Sequence, residues 1–229
     1  MKLLSKPVRV QTQQSYAQCG EDIIVKYLLN RILKIENPSY LDIGAHHPTY
    51  LSNTYLFYKE GSRGVCVEPE PELCRLFESQ RKRDTCLNCG VGNGSRDEAE
   101  FYVMYPRTLS TFCRQEALEN SRIDSFRIDD IIQVPLATIN SIIENHFDAC
   151  PHFVSIDMEG NCLEVLETLD FNRYRPEIFC IETLEYRSDK SAKKMPQINR
   201  LMESGGHGVY ADTYINTIFI DKQAWGARS

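Results

Sequence analysis

The chain has 229 residues, 42% of them hydrophobic, enough for one domain with a full core. Its 26 lysines and arginines against 32 aspartates and glutamates leave a net charge of −6, which excludes a nonspecific grip on nucleic acid. No apolar run reaches membrane-spanning length, and Met1-Lys2-Leu3-Leu4 is too short for a signal peptide because Lys6 and Pro7 break it; with nine cysteines, the expectation is a reducing, cytoplasmic setting.

Residues 1–14 are polar and aperiodic and read as a tail, and one domain is expected over 15–229. The segment from Ser15 opens an amphipathic helix with Ile24, Leu28 and Ile32 on one face and Tyr27 beside them. Glu21 and Asp22 suit the positive end of its dipole. After Asn37-Pro38 comes the stretch on which the rest of the chain depends. An apolar strand over 40–43 meets a turn at Gly44-Ala45, a helix over about 52–60 stops at Gly61, and a second strand over 64–67 ends in Glu68. This is a βαβ unit, which builds parallel sheet and places ligands at the carboxyl ends of the strands. An acid ending the second strand can accept both hydroxyl protons of a ribose. Gly44 is followed by Ala45, His46, His47 and Pro48, so the three glycines of a pyrophosphate-gripping turn are missing. An adenosine ligand without phosphates fits better, and S-adenosylmethionine is the common one. The plainer alternative is a βαβ unit whose Asp42 and Glu68 cap helices.

Pro71 suits the first turn of a helix running to about Gln80, and Arg81-Lys82-Arg83 reads as its solvated end. A third strand over 85–88 leads to a turn, Gly90-Val91-Gly92-Asn93-Gly94, and residues 98–104 alternate as one half of a hairpin. The polar stretch that follows reads as a cover insertion over the site, at 106–134. A short strand over 134–136 precedes Thr138, which caps a helix to about His146. An apolar strand over 153–156 ends in Asp157, and Met158-Glu159-Gly160 turns into a helix with Leu163, Leu166 and Leu169 inward. A buried strand over 178–181 ends in Glu182, a helix over about 194–203 stops at Gly205-Gly206, and strands over 209–211 and 217–220 close the chain as an antiparallel hairpin. Cys66, Cys74, Cys162 and Cys180 sit in strand-like or helical runs as small buried residues. Cys86 and Cys89 have CxxC spacing, but no second pair at zinc-ribbon spacing accompanies them. The sum is an α/β fold: a mostly parallel seven-stranded sheet with helices on both faces and a C-terminal antiparallel hairpin, the Rossmann-like layout of class I methyltransferases.

Several stretches, taken in order, resemble the FkbM-type methyltransferases: Ser15-Tyr16-Ala17-Gln18-Cys19-Gly20-Glu21-Asp22, Leu41-Asp42-Ile43-Gly44-Ala45, Ser52-Asn53-Thr54-Tyr55, Arg63-Gly64 leading to Glu68-Pro69, and Ser155-Ile156-Asp157-Met158-Glu159-Gly160 before a leucine-rich helix. The resemblance implies S-adenosylmethionine as methyl donor and a hydroxyl as acceptor, typically on a glycan, a lipopolysaccharide sugar or a polyketide. His46-His47 departs from what family members often carry after the glycine turn.

With that resemblance, Asp42, Gly44 and Ala45 are expected at the methionine end of the cofactor, Glu68 and Pro69 at the ribose, and Gly90 and Val91 at the adenine. Gln18, Glu21 and Asn53 are carried over as cofactor or substrate contacts; by physics alone Glu21 is a helix-start acid and Asn53 a helix cap. Asp157 ends its strand beside the transferred methyl and counts both as a cofactor contact and, with Glu159 and His46, as a catalytic residue. A hydroxyl acceptor must lose a proton, which His46 or His47 could take. Asp157 and Glu159 facing one cleft, with Glu182 on the same sheet edge, would allow a shared proton or a divalent metal. Alternatively Asp157 holds the loop and Glu159 caps the next helix, and no residue is assigned as a metal ligand. His146 and His152 are expected to be structural. The expected function is O-methylation of a sugar hydroxyl on a small-molecule or glycan acceptor, with no nucleic-acid partner and no membrane span. The rivals are methylation of an amine or a non-sugar natural product, an NAD-dependent oxidoreductase, and a non-catalytic nucleoside-binding module.

Overall fold

The computed structural model describes residues 12–158, 162–186 and 192–227. The opening strands lie where expected, β1 at Tyr40–Ile43 and β2 at Gly64–Val67, and they pair in parallel with Tyr40 opposite Gly64. β3 (Thr85–Leu87) continues the sheet in parallel beyond β2. On the other side of β1 come β7 (Phe153–Ile156) and β8 (Ile178–Glu182), both parallel. β12 (Asn216–Asp221) runs antiparallel to β8, and β11 (His207–Asp212) antiparallel to β12. The order β11-β12-β8-β7-β1-β2-β3 makes seven strands. It is the doubly wound sheet with one reversed strand that the alternation of β and α patterns predicts, and the C-terminal hairpin supplies the reversal.

Strand alternation sorts the core onto two faces. From β1 and β2, Leu41, Ile43, Val65 and Val67 join one face, which α5 (Ile139–His146), α6 (Cys162–Glu167) and α7 (Pro196–Ser204) cover with Ile142, Leu166 and Met202. Tyr40 and Cys66 join the other, with Leu28 and Leu29 from the N-terminal helix, Phe57 of α2 (Tyr55–Lys59) and Phe77 of α3 (Pro71–Gln80). Helix α5 starts where expected. Thr138 Oγ1 accepts from the Ser141 N–H at 3.1 Å, and Ser141 Oγ takes the Thr138 N–H in return.

Several local expectations are corrected. The first helix is α1 (Glu21–Lys26), which widens into a π-helical turn over Tyr27–Leu33. The wider turn shifts the register. Val25, Leu28 and Leu29 therefore become the fully buried residues, and Tyr27 is half exposed. Arg81 is not a solvated helix end. It is completely buried, with an ion pair to Asp84 at 2.6 Å and hydrogen bonds to the Tyr40 hydroxyl and Thr54 Oγ1, both at 3.0 Å. Gly90–Val91 is a two-residue strand, β4, rather than the start of a turn. It pairs in parallel with β6, which spans Arg127–Ala137 and absorbs the short strand expected over 134–136. β5 (Glu98–Tyr105) pairs antiparallel with β6, completing a three-stranded second sheet. Between β5 and β6 lie a 3₁₀ turn, Arg107–Leu109, and α4 (Arg114–Asn120). Lys194 lies not in the helix of residues 196–204 but in β10 (Ala192–Lys194), which pairs with β9 (Leu184–Tyr186).

Candidate functional site

The carboxyl ends of β3, β2, β1, β7 and β8 open into one cleft of about 1100 Å³ counting its mouth. Of the residues singled out in the sequence, Gln18, Gly44, His46, Glu68, Pro69, Gly90, Val91, Asp157 and Glu182 line it. Strand order fixes their sequence across the edge: Glu68 follows β2, Gly44 follows β1, Asp157 follows β7 and Glu182 closes β8. At about 4.8 Å per strand, Glu68 and Asp157 stand roughly 10 Å apart along the sheet edge.

Gly44 makes this crossing possible. Its φ is +75°, and a Cβ there would lie 1.7 Å from the Asp157 carbonyl oxygen, so only glycine lets β1 and β7 turn out together. The turn that follows is closed on itself. The N–H groups of Gly44 and Ala45 both donate to the Val67 carbonyl at 3.1 Å, and the His46 N–H donates to Glu68 Oε2 at 2.8 Å. No helix starts here, since α2 begins only at Tyr55. A pyrophosphate would find neither free N–H groups nor a helix N-terminus at this turn.

Glu68 is buried, and its other oxygen accepts the Glu70 N–H at 2.8 Å. Each oxygen thus takes one backbone N–H and keeps further lone-pair capacity in a residue that lines the cleft. Burial is the main cause that pushes its carboxyl up to about 8, the nearby Asp42 charge adds to the shift, and the His46 N–H works against it. Enclosure also raises Asp157 well above the usual carboxylate range, aided by Asp42 and Glu21 and opposed by a hydrogen bond shared with Glu182. Burial lowers His46, and neighbouring His47 and Arg107 add to this, so the imidazole is neutral at pH 7.

Glu21, Asp42, Ala45 and Asn53 do not line the cleft. Asp42 accepts from Thr54 Oγ1 at 2.6 Å beneath the turn. Asn53 donates to Ser155 Oγ at 3.1 Å, a tie between the α2 approach and β7. Glu21 is fully buried rather than a simple helix-start acid. One oxygen accepts from Thr213 Oγ1 (2.7 Å) and Asn216 Nδ2 (3.1 Å), the other from the Cys19 N–H (2.8 Å). It therefore clamps the segment carrying Gln18 to the β11–β12 turn carrying Ile215, and both of those residues line the cleft. His47 is committed elsewhere: its Nδ1 accepts the N–H groups of Thr49 and Tyr50 at 3.2 Å, so of the two histidines His46 lines the cleft. His152 is structural, its Nδ1 meeting the Ser39 N–H and hydroxyl. Glu159 lies outside the described residues. Among the described residues, no group of three or more His, Cys, Asp or Glu is placed to hold a metal ion.

The β5–β6 connection forms the remaining wall. Arg107, Thr108, Ser110, Thr111 and Phe112 line the cleft. The segment is tied down by Thr111, whose backbone exchanges hydrogen bonds with Tyr102, and by ion pairs from Arg107 to Glu70 and Glu72. Phe112 packs on Phe101 with centroids 4.8 Å apart, and its ring sits where a Cβ on Gly90 would fall. This aromatic wall and Glu70 were not singled out in the sequence. The FYVMY run could have flagged Phe101, whereas nothing local distinguishes Phe112 or Glu70.

A family model described as the methyltransferase FkbM domain matches residues 42–208. Among curated proteins none matches. Among solved structures, the FkbM methyltransferase of Methylobacillus flagellatus KT is 14% identical, with TM-score 0.45 over 81% of this chain and 44% of that one. This chain thus spans less than half the length of that protein. The Bacillus cereus O-methyltransferase in complex with S-adenosylhomocysteine is 13% identical, with TM-score 0.42 over 87% of this chain and 81% of that one. The Burkholderia thailandensis 1,6-didemethyltoxoflavin-N1-methyltransferase, bound to 1,6-didemethyltoxoflavin and S-adenosylhomocysteine, is 11% identical, with TM-score 0.42 over 88% and 77%.

Proposed function

Because the chain belongs to the FkbM methyltransferase family, we propose that its cleft binds S-adenosylmethionine and transfers the methyl group to a hydroxyl, that of a sugar in a glycan or glycosylated metabolite. The observation that carries this reading is the row of enclosed carboxylates from Glu68 to Asp157 facing a cleft whose far wall is aromatic. Among the described residues no lysine or arginine forms an ion pair with Glu68 or Asp157. Such a site favours a ligand that brings its own positive charge. S-adenosylmethionine, when bound, supplies a sulfonium-activated methyl group. The closed turn at Gly44 speaks against a dinucleotide.

In this reading Glu68 accepts the two ribose hydroxyls, and Pro69, Gly90 and Val91 border the base. Gly44 and Gln18 lie at the amino-acid end. Asp42, Ala45, Asn53 and Glu21 act from behind, holding the turn and the lips of the cleft. Asp157 takes the acceptor's hydroxyl proton, its raised carboxyl being better matched to that task than an ordinary aspartate. His46, neutral and lining the same cleft, positions the acceptor, and the segment over 106–134 covers the site. The sugar assignment rests on two exposed tyrosines. Tyr50 and Tyr214, 60% and 62% exposed, stand next in the chain to the cleft-lining residues Leu51 and Ile215, and in this reading they contact the acceptor sugar.

Calorimetric titration with S-adenosylhomocysteine and with NAD is the test. Micromolar binding of the first and none of the second is expected, followed by methyl transfer to sugar hydroxyls from a panel of glycosides. Binding of NAD in preference to S-adenosylhomocysteine would overturn the reading.

A further inference from the structure

Apart from its ion pair with Arg107, Glu70 has no part in the reading above, yet it is only 3% exposed and lines the cleft. One carboxylate oxygen is held in the ion pair with Arg107, and the other, Oε2, is buried with no hydrogen-bond partner. A buried carboxylate oxygen left unpaired costs stability unless something donates to it. Its backbone N–H is fixed on Glu68 Oε1 at 2.8 Å, so Glu70 emerges next to the proposed ribose acceptor, on the β3 side of the cleft. On that side the cleft is lined by Leu73, Cys89, Val91, Phe101 and Phe112, with the hydroxyls of Thr108, Ser110 and Thr111 in the same wall. An orphan acceptor beside a pair of aromatic rings reads the N–H edge of a flat ring.

Resting on the adenosyl reading above, we propose that Glu70 is a specificity-determining residue that accepts a hydrogen bond from the exocyclic amine of the adenine, with Arg107 as its positioning partner. The amine is the base's only N–H donor in an adenosyl group, and the ribose hydroxyls already fall to Glu68. Arg107 holds one oxygen of the carboxylate and thereby aims the other inward. Because Arg107 sits in the β5–β6 connection, base recognition and closure of that wall meet at one ion pair.

The experiment compares S-adenosylhomocysteine with S-inosylhomocysteine, in which a carbonyl oxygen replaces the amine, by calorimetry on the wild-type protein and on Glu70→Gln. The wild type is expected to prefer the adenosyl compound by at least about tenfold, because the inosyl oxygen would face the carboxylate while the proton that N1 gains lies one ring position away. In Glu70→Gln, Arg107 keeps the amide oxygen and turns the amide N–H₂ inward, where it suits the inosyl oxygen, so the preference shrinks to about threefold or less. Glu68→Gln serves as the comparison: it weakens both ligands and leaves their ratio unchanged, as any merely structural loss would. A wild-type ratio near one overturns the proposal without needing a variant, and so does a Glu70→Gln protein that keeps the wild-type ratio. Absence of binding by both compounds would instead overturn the adenosyl reading itself.

Discussion

Two groups of buried ionisable side chains lie on the same sheet and behave oppositely. Below β1 and β2, the Arg81 guanidinium meets Asp84, two hydroxyls and the faces of Tyr40, Tyr58 and Phe77, so its charge is balanced and its donors are used. At the strand ends, Glu68 and Asp157 are enclosed with no cation paired to them among the described residues, and both carboxyls are raised. The balanced group welds α3, β1 and the loop before α2 into one piece. The unbalanced group is held at a free-energy cost, which a cationic ligand would relieve. Buried ionisable groups alone therefore mark no site; enclosed carboxyls without a counter-ion, pushed toward their neutral form, do.

The comparison breaks most visibly at Arg81. Arg81→Met should strand Asp84 in the core and destabilise the protein by about 3–5 kcal/mol in denaturant unfolding. A loss below about 1 kcal/mol would mean that the pair is not structural. Next in size, Asp157→Asn should cut turnover by about a hundredfold or more while leaving S-adenosylhomocysteine affinity within threefold. It should not destabilise the free protein, because it removes a carboxyl whose ionisation is disfavoured. The opposite split, affinity lost and turnover kept, would remove Asp157 from the acceptor side.

Glu68→Gln should weaken S-adenosylhomocysteine binding by about tenfold. It also has a pH signature. Glu68 holds its proton up to about 8 in the folded chain, against an ordinary glutamate range when unfolded. Between those limits the folded state binds more protons, so the stabilisation present at low pH is lost as pH rises through about 8. Thermal unfolding of the free protein should decline over that window, less steeply in Glu68→Gln, and ligand affinity should rise as Glu68 ionises. A wild type and variant with parallel pH profiles would refute the assignment of the raised carboxyl to Glu68. The smallest effect separates the histidines. His47→Ala should cost about 1 kcal/mol of stability through the turn it caps and leave turnover nearly intact, and His46→Ala should do the reverse.

What the sequence made legible follows the range of the forces involved. β1, β2, β7 and β8 are short apolar runs ended by an acid or a glycine, and α5 carries its own cap, so local pattern locates them. The clustering of Gly44, Glu68, Gly90 and Asp157 then follows from parallel topology alone. What escaped depends on distant partners. Glu21 looks like a helix-start acid until Thr213 and Asn216, almost the whole chain away, close on it. Arg81 sits in a basic triplet whose other members are exposed, and only the fold distinguishes it. β4 is two residues long and exists because β6 lies beside it, while much of β6 is exposed and lacks clear apolar alternation.

The close approach at Gly44 has a practical consequence for anyone seeking an inactive control. Replacing the glycine of a cofactor turn is the habitual choice, but here the first added carbon would strike the Asp157 backbone and push the two central strands apart. Loss of activity in such a variant would report a damaged scaffold as readily as a vacant site. Isosteric changes at the carboxylates, which remove charge without displacing an atom, keep chemistry and architecture separable.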